Sequence, residues 1–89
     1  MENPLLLTLK ITQMIVNSGE CSAEFLATHL GISDRTLKRH IAAARHLGAD
    51  IKPFRAGRHW IYECTNRDDL LRSGKLQRWI DLEESRSLI

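Results

Sequence analysis

No run of about 18 apolar residues occurs in the chain, so no segment has the length of a membrane-spanning helix. The N-terminus lacks a basic stretch leading into an apolar segment and a cleavage site, and Leu5-Leu6-Leu7 is too short to supply one. A cytoplasmic protein with no membrane partner is the expectation. Cysteine is scarce: Cys21 and Cys64 stand far apart, without Cys-x-x-Cys spacing, and are expected to be free thiols in ordinary packing. His29, His40, His46 and His59 show no ligand spacing, and a zinc site needs about three or four converging ligands, so no metal is assigned. No Gly-x-Ser-x-Gly turn, Walker-type loop or carboxylate pair beside a histidine is present. The usual parts of a catalytic site are therefore missing, and neither an enzyme nor a cofactor is expected. Internal repeats and low-complexity stretches are absent too.

The 89 residues make one small domain whose core is adequate but not generous, so a homodimer sharing apolar surface is attractive. The net charge of +2 hides a local asymmetry. Between Ser33 and Trp60 stand Arg35, Lys38, Arg39, Arg45, Lys52, Arg55 and Arg58, opposed only by Asp34 and Asp50, for a local charge of +5. Residues 1–32 carry −2 and residues 61–89 carry −1. A basic segment of this kind points to a polyanionic partner.

That segment overlaps a helix-turn-helix pattern. Ser22 caps a helix over Ala23–Leu30, with Phe25, Leu26, Leu30 and the small Ala27 as its packing residues. Gly31 supplies the positive φ of the turn, and Ser33 caps a second helix from Asp34 to about Leu47, ended by Gly48. Leu37, Ile41 and Ala44 form the inward stripe of this helix. With Leu37 at zero and about 100° per residue, Arg35, Arg39, Ala42 and His46 fall about 140–200° away. They face outward, flanked by Thr36, Lys38 and Ala43. Long donors near the N-terminal half with little bulk behind them suit a helix that reads the DNA major groove. His40 lies nearer the core stripe and is read as a half-buried packing residue.

Upstream, Asn3-Pro4 begins a helix expected to reach about Asn17, with Gly19 beyond its end. Leu7, Ile11 and Ile15 lie on one face and Leu5, Leu9 and Val16 on another, which implies more than one neighbour. Downstream, Ile51–Phe54, a turn at Arg55–Arg58 and a β-rich run from His59 to Cys64 read as a hairpin with a basic tip. Pro53 belongs at an edge. Trp60 and Tyr62 are expected to pack the hairpin onto the core. Asn66 is expected to cap a helical tail that Gly74 breaks or kinks, with Ser85 to Ile89 frayed. The fold class is mainly α with a β-hairpin wing. A winged helix-turn-helix occupies residues 1–64 (helix-turn-helix 22–47, wing 51–64), and a C-terminal helical tail occupies residues 65–89. Leu76, Trp79, Ile80 and Leu82 exceed one stripe of a short helix and are assigned to a dimer interface, which Leu5 and Leu9 could join.

The run from about Leu9 to Tyr62 resembles the winged helix-turn-helix of DeoR-type regulators and the N-terminal domain of the biotin-operon repressor. The residues that carry the resemblance are Ser22-Ala23-Glu24-Phe25-Leu26-Ala27, Leu30-Gly31-Ile32-Ser33, Arg35-Thr36-Leu37-Lys38-Arg39-His40-Ile41, Leu47-Gly48-Ala49-Asp50-Ile51, and Gly57 to Tyr62. DeoR-type sequences usually carry Asp where His40 stands, so the biotin-repressor type is the closer there. Both types carry a large sensing or enzymatic domain after the wing, whereas only a helical tail follows here, so no small-molecule effector is expected. The resemblance implies a sequence-specific regulator of double-stranded DNA. The expected form is a small dimeric repressor of phage, plasmid or accessory-element type. DNA contact is expected from Ser33, Arg35, Thr36, Lys38, Arg39, Ala42, His46, Lys52, Arg55 and Arg58. The alternatives are a winged-helix protein-interaction module and an architectural DNA-binding factor of excisionase or partition type.

Overall fold

A computed structural model describes residues 3–87. The chain runs α1 (Pro4–Ser18), β1 (Glu20–Ser22), α2 (Ala23–Leu30), α3 (Asp34–His46), β2 (Ile51–Ala56), β3 (His59–Cys64), α4 (Arg67–Ser73) and α5 (Lys75–Ser87). Among these residues no helix is long and apolar enough to cross a membrane.

Asn3 begins α1 by accepting from the Leu5 amide at 2.9 Å, with Pro4 in the first turn, where no amide is needed. Both apolar stripes of α1 are used. Leu6, Leu9, Ile11, Ile15 and Val16 are buried, and the helix packs against α3, α4, α5 and the sheet. Leu9 is therefore a core residue and not available for an interface, whereas Leu5 stays exposed. Thr12 sits in this interior by donating its hydroxyl to the Thr8 carbonyl at 2.8 Å. Leu26, Leu37, Ile41 and Ile51 complete the centre of the core, each worth about 1.5–3 kcal/mol of apolar burial.

The turn between α2 and α3 closes as a Schellman-type cap. Gly31 has φ +66°, its amide reaches Thr28, and the Ile32 amide donates to the Ala27 carbonyl at 3.0 Å. Ser33 then accepts from the Thr36 amide at 3.1 Å and starts α3. The side of α2 departs from expectation at Phe25, which is 52% exposed and stacks on His29 with ring centroids 5.4 Å apart. In this short helix Ala23 and Leu26 take the buried positions, so Phe25 points away from the core.

The sheet has three antiparallel strands in the order β1-β3-β2, not the two-stranded hairpin expected. Glu20, Cys21 and Ser22 pair with Glu63, Tyr62 and Ile61. Three residues are too few to show a period of two, which is why β1 escapes a sequence reading. The wing also has a tighter turn than expected. Its ladder continues through Arg55↔Trp60 and Ala56↔His59, leaving Gly57 and Arg58 as a two-residue loop. Gly57 has φ +63° and Arg58 follows with negative φ, the pattern of a type II′ hairpin turn.

Asn66 does not cap α4 with its side chain. It instead accepts from the Asp50 amide at 2.9 Å and donates to the Gly48 carbonyl at 2.7 Å, pinning the end of β3 to the loop after α3. The tail is two helices, because Gly74 adopts φ +65° and ends α4 before α5 begins. The second helix continues through Ser87, into the segment expected to fray from Ser85 onward, and residues 88 and 89 lie outside the described residues. Leu76 and Ile80 are buried at 7% and 3% exposure, and α5 packs along α1.

Candidate nucleic-acid interface

The exposed basic face begins with α3. Burial of Leu37, Ile41 and Ala44 fixes the rotation of this helix. Arg35, Arg39, Ala42 and His46 consequently stand exposed on the opposite side. Arg35 and Arg39 have no hydrogen-bond or ion-pair partner among the described residues. Their guanidinium groups are free to meet an external acceptor. Ser33 and Thr36 sit at the start of the helix, where the Ser33 hydroxyl is 3.0 Å from that of Thr36. Lys38 lies to one side and pairs with Asp34 at 3.0 Å, one turn earlier. Hydrogen bonding to the Asp34 carboxylate, reinforced by its charge, raises the Lys38 pKa above 10.5, so the ammonium is fully charged.

On the other flank of the stripe, His40 faces α1. Its Nδ1 is 2.7 Å from the Thr8 hydroxyl, and burial pushes its pKa below the usual 6.5. The imidazole is a half-buried packing group whose charged form is disfavoured by burial.

The wing carries the second set of cations. Strand alternation puts Ile51, Pro53, Arg55, Trp60, Tyr62 and Cys64 on the sheet face that meets the helices. Ile51, Tyr62 and Cys64 are buried there, at the root of the hairpin. Burial raises the pKa of both the Tyr62 phenol and the Cys64 thiol. Both cysteines are buried free thiols. Further out the hairpin overhangs the core, and Trp60 is 53% exposed instead of packed. Arg55 bonds the Gly57 carbonyl at 3.2 Å and so stiffens the tip, while Arg58 is free among the described residues. His59 reaches α2, with Nδ1 3.5 Å from a Glu24 carboxylate oxygen.

These placements sort the basic residues. Lys38 on α3 and Arg58 on the wing tip line one groove of about 800 Å³, floored by Ala27, Ile41 and Tyr62. Arg35 and Arg39 stand further round the exposed side of α3, and Arg55 lies on the wing beside Trp60. Lys52 is not among them. It pairs in register with Glu63, on the opposite face of the sheet. Arg45, which contributes to the basic count, is exposed at the groove but held to the backbone. Its Nε donates to the Ile51 carbonyl at 2.7 Å and ties α3 to the wing.

Two supporting residues were invisible in the sequence. Arg67 donates to the Val16 and Asn17 carbonyls, placing a cation at the C-terminal end of α1. Glu83 is 7% exposed and accepts from the Asn3 amide side chain at 2.7 Å, joining the start of α1 to α5. Each acts across 50 to 80 residues of sequence, and no local pattern announces such a contact.

A helix-turn-helix whose second helix presents an unpaired arginine stripe, followed by a β-hairpin carrying further cations, defines a winged-helix DNA-binding domain. A family model described as an HTH domain matches residues 8–53, just over half of the chain, and the protein belongs to that family. This is a DNA-binding family and not an enzyme family. The matched segment stops within β2, so the rest of the wing is assigned from the structure. No curated protein and no solved structure matches the chain.

Proposed function

We propose that the protein is a sequence-specific regulator of transcription that binds double-stranded DNA as a small dimeric repressor. The carrying observation is the outward stripe of α3, with Arg35 and Arg39 unpaired among the described residues, followed in the chain by a wing that carries Arg55 and Arg58. Arg35 and Arg39 reach base edges in the major groove, with Ala42 and His46 against the groove wall. Ser33, Thr36 and Lys38 meet phosphates at the start of the helix, and Arg55 and Arg58 take the backbone or minor groove alongside.

The test is selection of bound sequences from a random duplex library. The intact chain should enrich a defined motif, and Arg39→Ala should relax preference at particular positions. One bidentate arginine–guanine contact is worth about 1–3 kcal/mol of discrimination. If Arg39→Ala changes neither affinity nor preference, the recognition face is wrongly assigned.

The dimer is proposed to form through α5. Leu76 and Ile80 support this helix from beneath, buried in the protomer's own core. Trp79, Leu82 and Leu5 line a shallow groove of about 220 Å³, with Leu82 58% exposed. A second copy packed there on a two-fold axis would present two recognition helices to half-sites spaced by about one helical turn or a multiple of it. An inverted repeat among the selected sequences supports this arrangement. Leu82→Asp should shift the sedimenting mass towards monomer without unfolding the chain. An intact chain that sediments as a monomer at tens of micromolar, alone and on DNA, refutes it.

A further inference from the structure

Trp60 lies on the core-facing side of the wing, yet about half of its surface is open. The reason is its position. The rungs at Tyr62 and Cys64 sit over the helices, whereas Trp60 is one rung from the end of the ladder, in the groove between the wing and α2 and α3, where the helices cover only part of it. Its cross-strand partner is Arg55, and Arg58 follows in the turn. The groove that the indole faces carries Lys38, Arg45 and Arg58 against Glu24 and Asp34, with Lys38 paired to Asp34, so its unpaired cations lie on the wing side at Arg58. A large flat apolar surface flanked on the wing by two arginines suits a partner that is both anionic and locally apolar.

We infer that Trp60 is a DNA-contacting residue whose indole packs against a deoxyribose of one strand, while Arg55 and Arg58 hold the flanking phosphates. This rests on the DNA-binding reading above and adds to it a contact that is neither ionic nor base-specific. A duplex closes its base faces within the stack. What it offers sideways to an aromatic ring is the C–H edge of its sugars, between phosphates spaced along the strand. The open half of an indole, about 100 Å², corresponds to a factor of roughly ten to a hundred in affinity when it leaves water. Ordering of the wing tip offsets part of this, and the expected loss in Trp60→Ala is about tenfold.

Duplex binding is measured by anisotropy of a labelled DNA, on a selected site and on an unrelated sequence. Trp60→Ala should raise Kd by a similar factor on both and leave the salt dependence unchanged, because no counterion-releasing group is removed. Arg58→Ala should instead flatten that dependence. A second readout leaves Trp60 in place: the chain is labelled with fluorotryptophan, and the resonance missing from Trp60→Phe is assigned to Trp60. That resonance should shift on adding duplex, in step with the anisotropy. If the labelled chain binds duplex while the Trp60 resonance stays put and Trp60→Ala binds normally, the inference is overturned and the DNA reading survives. A loss confined to the selected site replaces the sugar contact with a base contact and also overturns it. If the unmodified chain binds no duplex, the DNA reading falls and the inference falls with it.

Discussion

Binding to DNA should weaken steeply with salt, and the structure says which side chains set the slope. Seven basic residues lie between Ser33 and Trp60, but they do not act alike. Arg45 is held by the Ile51 carbonyl, and Lys52 stands on the far side of the sheet beside Glu63. Arg35, Lys38 and Arg39 on α3 and Arg55 and Arg58 on the wing remain, with Asp34 opposing them at Lys38. Arg35 and Arg39 bring their charge into the groove between the two phosphate rows even where they bond base edges. The five cations together therefore offset the charge of four to five phosphates and give a log–log slope of about −4 per protomer. Raising monovalent salt from about 50 to about 200 mM should then cost roughly two to three orders of magnitude in affinity. The assay is anisotropy titration of one selected duplex at four or more salt concentrations. Arg58→Ala should reduce the slope by about one, and Lys52→Ala should leave it unchanged. A flat response would refute electrostatic docking altogether. Equal effects of Arg58→Ala and Lys52→Ala would refute the sorting of the basic residues by sheet face.

Two further outcomes concern the scaffold. Asn66→Ala removes the acceptor for the Asp50 amide and the donor to the Gly48 carbonyl, and should destabilise the fold by about 1–3 kcal/mol in urea denaturation. A loss below about 0.5 kcal/mol would show that this joint is dispensable. The depressed pKa of His40 makes stability depend on pH. The unfolded chain takes up the imidazole proton near pH 6.5 while the folded one resists, so stability is full above that value and falls as pH drops below it. Urea midpoints at about pH 7.5 and about pH 5.5 should therefore differ in the native chain and draw together in His40→Gln. An equal drop in both would assign the dependence to other groups.

What can be read from the sequence is whatever depends on neighbours along the chain. The caps at Ser22 and Ser33, the turn at Gly31 and the inward stripe of α3 are local, and they define the helix-turn-helix with its boundaries. Hairpin pairing is nearly local, so the wing is legible too, although its turn is two residues tighter than expected. Trp60 escapes because alternation reports which face a residue takes, not how far the core extends beneath it. Counting rungs outward from Cys64 shows that a hairpin of six rungs outruns its support. Asn66 reads as a helix cap because its neighbours are acidic, whereas its partners lie 16 and 18 residues back. Lys52 joins the basic cluster by proximity in sequence and leaves it by the pleat of the strand.

The short strand β1 gives the wing a graded stiffness. It flanks β3 only from Ile61 to Glu63, so Trp60 and His59 have a neighbour on one side alone. The hairpin is a cantilever, clamped at its root and without a second flanking strand over its last two rungs. The clamp sets the direction in which the tip projects, and the contact between His59 and Glu24 steadies it from one side. On the proposed reading, in which the tip takes the backbone or minor groove, a small bend of this end would let it follow a duplex whose groove width changes with base composition. Only those two rungs and the turn need to settle when the tip docks, so the entropy lost there is small beside that of ordering a whole loop. A longer β1 would make a more rigid probe, one that tolerates fewer groove widths.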